Sequence, residues 1–385
     1  MKQEIINTID GYSKEIFEIS DYIFKTPEPS YKEVKASRII IDFLKKQGFK
    51  VQEDYLSIST AFCATYGEGH PKLCTICEYD AVSGHGHITG HNLLTAISLM
   101  ASLGIKKALD RLSGSITILG CPGEYLGGAK VTMAKQGIFD EMDVVLMAHP
   151  DIETSESGTS KALTPLAISY CGNENLSFLK EEGCTPLDGM LLTFNIINTL
   201  NKAFPKGLSI EGVLSKGGVT PLLSPGEVEG KFYIRGDNSA LAALGEAELR
   251  DTAAFVEKKL SLKAALSLYS PPYEELLTNI TLSRLFSHNL KECGIIDIKD
   301  FKDINAGLSL GTVSHKVPCI HPYIGITEAP VPYGSEEFAA ATLTSYAKDR
   351  AQKAASALAL TGLDLLQNEN LLCEVKSEFF DLTAK

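Results

Sequence analysis

Hydrophobic positions along the first 150 residues switch between two spacings, one helical and one extended. Apolar residues three or four positions apart predict amphipathic helices, whereas short uninterrupted apolar runs predict buried strands. The predicted helices cover 4–24, 31–47, 92–107 and 128–136, and the predicted strands cover 50–53, 60–66, 73–77, 115–121 and 144–147. Strands that alternate with helices in this way are typical of an α/β fold with a mostly parallel sheet.

A different order of elements begins near residue 166 and ends near residue 271. The predicted elements run strand, helix, strand, strand, helix, strand, which is the βαββαβ order of a ferredoxin-like α+β domain with an antiparallel sheet. Beyond it the chain returns to helices and strands and ends in a predicted Ala-rich helix over 335–366. We therefore expect a discontinuous α/β domain, 1–165 plus 272–385, with an inserted α+β domain at 166–271.

Composition and charge exclude several classes of function. The 385-residue chain has a net charge of −12 and no long basic cluster, which argues against nucleic acid or an anionic membrane as the partner. No apolar run reaches the roughly 18 residues of a membrane span, and the N-terminus does not resemble a signal peptide. The nine cysteines follow no regular framework, so we expect free thiols and a cytoplasmic location.

Histidines are concentrated in one short segment between a predicted strand and a predicted helix. Three of the eight histidines and two carboxylates lie in E-Y-D-A-V-S-G-H-G-H-I-T-G-H-N, residues 78–92. A hydrophobic core uses aliphatic side chains rather than imidazoles, so this density indicates a polar functional site.

Two further segments follow predicted strands and are expected to meet this one at the carboxyl edge of a parallel sheet. One presents Glu124 and the other presents His149. With His91 and Asp80 they supply what a metal-assisted hydrolase needs. Imidazoles hold a metal ion, one carboxylate takes a proton from water, and another orients a ligand histidine. Glu124 and Asp80 are thus the predicted catalytic residues.

These segments resemble the M20 family of metal-dependent peptidases and amidohydrolases. Members that act on N-acyl amino acids, small dipeptides and related amides carry patterns like E-Y-D-A-L-P-G-x-G-H-A-C-G-H-N, G-x-P-A-E-E-G-G and a strand ending in H-P. The counterparts in this chain, together with further matching segments, are 78–92, 120–128, 149–150, 217–221, 232–235, 313–318, 320–323 and 337–338. The resemblance covers nearly the whole chain. It implies a catalytic domain with two metal ions and an inserted lid domain that often supplies a dimer interface.

The resemblance also implies five metal ligands, of which this chain keeps His91 and His149. The ligand cysteine, the ligand glutamate and the C-terminal ligand histidine are replaced by Thr89, Tyr125 and Gly334. A hydroxyl and a phenol are poor ligands at neutral pH, and glycine has no side chain to offer. We therefore expect the two-metal site to be lost, with at most one zinc-like divalent ion, or no metal, in its place.

Further histidines and one arginine are candidates for supporting roles. A single ion would persist if His85 or His87 moved towards it, or if Tyr125 ionised on binding. His87, Arg235 and His315 are predicted to bind substrate, although a hydrogen-bonded structural role in the turn is the alternative for His87.

Three functions stay open at the level of sequence. The first is an M20-type amidohydrolase that acts through Glu124, with one metal or none, on a small N-acyl amino acid, dipeptide or related amide, as a homodimer through the lid domain. The second is a catalytically inactive homologue that serves as a ligand-binding or scaffold protein. The third is dinucleotide binding at Gly84, Gly86 and Gly90, which the family pattern makes weak because it explains these glycines better.

Overall fold

The computed structural model describes residues 1–179 and 183–384. The chain forms two compact units. The first comprises Met1–Thr159, Leu276–Asp303 and Thr312–Lys385, and the second comprises Ser160–Glu275 and Ile304–Gly311. None of the helices in the described ranges is both long enough and apolar enough to cross a membrane.

Helices and strands alternate along most of the chain. The helices are α1 (Lys2–Lys25), α2 (Val34–Lys46), α3 (His91–Leu109), α4 (Ala129–Lys135), α5 (Pro186–Leu200), α6 (Ser239–Leu260), α7 (Ile280–Glu292), α8 (Leu310–Ser314), α9 (Glu336–Ala341), α10 (Ser345–Gln367) and α11 (Glu369–Thr383). The strands are β1 (Lys50–Glu53), β2 (Phe62–Glu68), β3 (Lys72–Cys77), β4 (Gly114–Gly120), β5 (Val144–Leu146), β6 (His149–Asp151), β7 (Ser155–Ser157), β8 (Ala162–Cys171), β9 (Asn175–Leu176), β10 (Leu208–Lys216), β11 (Leu223–Ser224), β12 (Glu227–Gly236), β13 (Lys263–Leu268), β14 (Lys299–Lys302), β15 (Cys319–Ile320) and β16 (Tyr323–Gly325).

The main sheet of the first unit has the strand order β1-β2-β4-β3-β5-β15. The strands β4, β3, β5 and β15 run parallel to one another, whereas β2 pairs antiparallel with both β1 and β4. A second sheet of the same unit has the order β14-β7-β16-β6. The predicted α/β class is confirmed, with antiparallel pairing confined in the main sheet to the β1–β2–β4 edge.

Apolar helices cover the main sheet and form the core of the first unit. The helix α3 is buried along most of its length, and α1 and α10 pack against it. Ile5, Ile9 and Ile16 of α1 recur at helical spacing and are fully buried, each worth about 1.5–3 kcal/mol when removed from water. Close packing depends on Gly104 of α3, where a Cβ atom would lie only 2.6 Å from the Cβ of Ala359 in α10.

Three parallel strands end at one edge of the main sheet, and each is followed there by a polar segment identified in the sequence. The strand β3 is followed directly by Glu78, β4 ends four residues before Glu124, and β5 ends shortly before His149. The carboxyl ends of neighbouring parallel strands meet at the same edge, so these side chains converge.

The second unit contains the predicted βαββαβ arrangement. The antiparallel sheet has the order β10-β12-β8-β13, and α5 and α6 pack against β8 and β12. The start of α5 is fixed by a capping box in which Thr185 and Asp188 bond each other's backbone N–H groups. The ferredoxin-like prediction for this region is confirmed.

The predicted extent of the long Ala-rich helix near the C-terminus is wrong. The segment expected to form a single helix over 335–366 forms α9 and α10, separated by Thr342–Thr344. The hydroxyl of Thr342 bonds the carbonyl of Ala339, and Thr344 caps the start of α10 by accepting from the N–H of Ala347. Hydroxyl side chains compete for backbone groups, which ends one helix and begins the next. The terminal helix α11 was not predicted.

Candidate active site

The start of α3 is held close to the segment that follows β5. Gly90, which precedes α3, has a φ of +85°, in the left-handed region that favours glycine. A Cβ atom on Gly90 would lie 3.1 Å from the Cβ of Pro150, so the two segments are in direct contact. As a result, the rings of His91 and His149 approach within 5.7 Å between centroids, edge to face.

His91 lies between two buried carboxylates. Its Nδ1 atom donates to Oδ1 of Asp80 at 2.9 Å, and its Nε2 atom lies 3.2 Å from Oε2 of Glu78. Burial alone would lower the pKa of His91, but the hydrogen bond to Asp80 and the charge of Glu78 raise it to about 9. Burial would raise the pKa of Asp80, but the hydrogen bond and charge of His91, together with hydrogen bonds from Ser30 and the N–H of Tyr125, hold it below its usual range.

A buried lysine joins two of the acidic residues. Lys130, in α4, is fully buried, and its Nζ atom lies 2.7 Å from Oε2 of Glu124 and bonds Oε1 of Glu78. Burial would lower the pKa of Lys130, but Glu124 and Glu78 raise it above its usual range. Lys130 therefore carries a fixed positive charge at the centre of the site.

His149 is held in one tautomer. Its Nδ1 atom bonds the carbonyl of Pro150 at 2.8 Å, and a carbonyl only accepts, so Nδ1 carries the proton and Nε2 presents a lone pair. Burial lowers the pKa of His149 well below its usual range, which keeps the ring neutral. One donor atom each from Glu78, His91 and His149 lie within 4.8 Å of one another.

The replaced ligand positions do not offer metal donors. The hydroxyls of Thr89 and Tyr125 hydrogen-bond each other, and the ring of Tyr125 stacks on His91 with centroids 4.9 Å apart. Burial raises the pKa of Tyr125 well above its usual range, so the phenol stays protonated. Gly334 has no donor to contribute, although a Cβ atom there would meet no heavy atom within 4 Å. The donor set therefore does not fit the two-ion centre that the sequence resemblance implies.

Neighbouring side chains fix the orientation of the acidic groups. The hydroxyl of Ser30 donates to Oδ2 of Asp80 at 2.7 Å, and the N–H of Tyr125 donates to the same oxygen at 3.2 Å. The buried carboxylate of Glu33 accepts from the N–H of Gly123 at 2.9 Å, one residue before Glu124. These bonds hold the turn that carries Glu124.

The roles of the three predicted substrate-binding residues stay predictions. His87 is buried, bonds the carbonyl of Ile23 at 3.1 Å through Nε2, and has a pKa lowered to about 4 by burial. His315 follows α8 in the first unit and is half-buried. Arg235, in the second unit, forms an ion pair with Glu211.

Sequence reasoning brought together His91, His149, Glu124 and Asp80, which the structure also brings together, but it gave no role to Glu78 or Lys130. A signal for Lys130 was present, because it lies among apolar residues in the first turn of α4, six positions after Glu124. Glu78 was visible as one of the two carboxylates of the histidine-rich segment, but only the fold places it beside His91.

Comparison with known proteins agrees with the architecture. No protein-family profile matches the chain. The Xaa-Arg dipeptidase of Homo sapiens is 27% identical, over 98% of this chain and 92% of its own length. A protein of methicillin-resistant Staphylococcus aureus described as an aminohydrolase has a TM-score of 0.74 at 18% identity and covers 95% of this chain and 99% of its own.

A further solved structure that is similar to this chain is described as an M20-family peptidase. A dinuclear metal-binding peptidase of the M20 family from Bacillus subtilis has a TM-score of 0.63 at 14% identity, over 90% of this chain and 98% of its own. The two solved structures are similar to this chain in fold. The chain is therefore similar in sequence to a dipeptidase over nearly its full length and similar in fold to a peptidase of the M20 family.

Proposed function

We propose that this protein hydrolyses the amide bond of a small N-acyl amino acid or dipeptide, with Glu124 as the proton-transferring group. The similarity to a dipeptidase over nearly the full length supports the reaction class. The observation that carries the proposal is the arrangement of Glu124, Lys130 and Glu78, with His91 and Asp80 beside it, at the carboxyl edge of the sheet.

Glu124 is the carboxylate best suited to meet a substrate. Its side chain is 12% exposed, whereas that of Glu78 is 3% exposed. The ammonium of Lys130 stabilises the negative charge of Glu124, which is the form that accepts a proton. Glu124 then takes a proton from water as the water attacks the carbonyl carbon. It returns that proton to the nitrogen that leaves when the C–N bond breaks.

The remaining donors fit one metal ion rather than two. Glu78, His91 and His149 form a set of one carboxylate and two imidazoles, which is a common ligand set of catalytic zinc. A zinc-like ion, when bound, supplies Lewis acidity that polarises a carbonyl oxygen. Asp80 fixes the ring of His91, and the carbonyl of Pro150 fixes that of His149.

The test of this function is an amide hydrolysis assay on a defined panel. Purified protein is incubated with dipeptides that end in arginine and with N-acetyl and N-benzoyl amino acids, and the released amino acid is measured. We expect turnover of at least one substrate, lowered ~10²–10⁴-fold by Glu124→Gln, as removal of a general base would do. Glu374→Gln, an exposed change in α11, is the control and leaves the rate unchanged. Absence of turnover across the panel, or an active Glu124→Gln variant, contradicts the proposal.

A non-catalytic binding role is the second candidate, favoured by the hydrogen bond between Thr89 and Tyr125 at two former ligand positions. On this alternative the cleft retains a small amide or amino-acid-derived ligand without cleaving it. Calorimetric titration with the same panel separates the two candidates, because a binder gives heat of binding and no product.

We also propose that the second unit forms a homodimer interface. The strand β10 lies at the edge of its sheet, with Val213 and Leu214 exposed on it. An edge strand with exposed apolar side chains is open to pairing with a second copy. Light scattering after gel filtration is expected to give twice the mass of one chain, and Val213→Lys is expected to shift it towards one.

A further inference from the structure

We propose that this chain replaces the two-ion centre with one divalent cation and one internal ammonium, in which Glu78 is the third metal ligand beside His91 and His149 and Lys130 supplies the remaining positive charge. The inference rests on the proposed function, which it refines by naming the cofactor class and the residue that compensates for the lost ligands.

The first argument is the geometry of the donors. The three donor atoms lie within 4.8 Å of one another, and all three residues are buried. The Nε2 atom of His91 lies 3.2 Å from Oε2 of Glu78. Two ligands of a tetrahedral zinc ion, each about 2.0–2.1 Å from the metal, are themselves about 3.3 Å apart. The separation between these atoms therefore matches two ligands of one ion.

The second argument is the orientation of the two imidazoles. The carbonyl of Pro150 fixes the Nδ1 proton of His149, and the carboxylate of Asp80 accepts from Nδ1 of His91. In both rings the nitrogen left for a metal is Nε2. A carboxylate or carbonyl behind a ligand histidine is the usual support of a protein metal site.

The third argument is the balance of charge. The carboxylates of Glu78, Asp80 and Glu124 carry three negative charges in a largely buried cluster, and Lys130 offsets one of them. A metal ion on Nε2 of His91 displaces the proton from that atom, so both imidazoles are then neutral and two negative charges are left, which is the charge that one divalent cation compensates. A second dication would find no anionic ligand at Thr89, Tyr125 or Gly334 and would lie near the ammonium.

Two glutamates that share Lys130 as a partner make a matched pair for the test. Glu78 and Glu124 both form an ion pair with Lys130, but only Glu78 is assigned as a ligand. Glu78→Gln and Glu124→Gln each remove one partner of the lysine, so that loss is common to both. Any difference between them in metal affinity reports ligation.

The experiment titrates the metal-free full chain with Zn²⁺ in the calorimeter, against a competing chelator, and follows Co²⁺ binding by visible absorption. We expect one ion per chain, with tetrahedral Co²⁺ absorption. Glu78→Gln is expected to weaken Zn²⁺ binding by at least ~100-fold, and Glu124→Gln to change it less than ~10-fold. Circular dichroism checks that both variants fold, and His149→Gln replaces Glu78→Gln if the latter does not.

The inference is overturned if the chain binds no ion or two ions, or if the two glutamate variants weaken binding equally. Failure of the inference differs from failure of the proposed function. Amide hydrolysis by a chain that binds no Zn²⁺ in the titration keeps the function and rejects the metal site. Stoichiometric Zn²⁺ without hydrolysis keeps the metal site and rejects the function.

Discussion

The buried Lys130 and the half-buried Glu124 form an ion pair in which the lysine Nζ atom lies 2.7 Å from the carboxylate Oε2 atom. Glu124, the residue assigned to proton transfer, is thus paired with a cation from the protein itself, the ammonium of Lys130. The same ammonium reaches Glu78, so one positive charge links two carboxylates that would otherwise repel each other. This cation is the main departure of the site from a centre that depends on metal ions alone.

The first prediction concerns the contribution of Lys130 to the free energy of unfolding. Lys130→Met leaves the buried Glu78 and the half-buried Glu124 without their partner, and the free energy of unfolding is expected to fall by about 3–5 kcal/mol, measured by urea denaturation. Lys135→Met is the control in the same helix, because Lys135 is exposed, and it is expected to change the free energy by less than about 0.5 kcal/mol. Equal effects of the two changes would contradict the assigned role of Lys130.

The second prediction is a dependence of stability on pH that arises from Glu33. Burial raises the pKa of Glu33 from 4.5 to about 7, while its carboxylate accepts from Gly123 and Thr60. The folded state thus holds a proton that the unfolded chain releases near pH 4.5. The stabilisation is present at low pH and is lost as pH rises towards 7, by up to about 3 kcal/mol.

Glu33→Gln cannot titrate and tests this prediction. Relative to the wild type, the variant is expected to lose the most stability near pH 5 and progressively less towards pH 8, in unfolding curves measured at each pH. A stability difference between the two proteins that stays constant over this range would show that Glu33 keeps its ordinary pKa.

The third prediction concerns the three replaced ligand positions. The triple change Thr89→Cys, Tyr125→Glu and Gly334→His restores a thiolate, a carboxylate and an imidazole, and we expect it to bind two divalent ions per chain. A side chain at Gly334 has space, at a cost of about 1 kcal/mol for its φ of +80°. The double change Thr89→Cys and Tyr125→Glu, without Gly334→His, is the control. Elemental analysis after dialysis measures the number of metal ions per chain. A triple variant that still binds a single ion would show that more than these ligands was lost.

The sequence predicted the elements that carry the site because the signals there are local. Short apolar runs followed by polar residues predicted the positions of β3, β4 and β5. His91, His149 and Glu124 converge because parallel strands end at the same edge of the sheet. The ferredoxin-like unit was likewise visible in the order of its elements. The domain boundaries, the dimer and the substrate roles of Arg235 and His315 stay predictions.

The remainder depends on three-dimensional context. A lysine in a short helix is ordinarily exposed, and the apolar neighbours of Lys130 in the sequence do not identify what it contacts. The fold places it in the core between two glutamates. The break between α9 and α10 depends on hydroxyl bonds of Thr342 and Thr344 to nearby backbone groups, which compete with an otherwise helical Ala-rich pattern.

The most direct test of the single-ion centre is anomalous diffraction at the zinc absorption edge, from crystals grown with Zn²⁺ and without chelator. The account predicts one strong anomalous peak per chain in this site, bounded by Glu78, His91 and His149, with Lys130 still paired to Glu124. Two peaks in this site, or no peak between these three side chains, would contradict it.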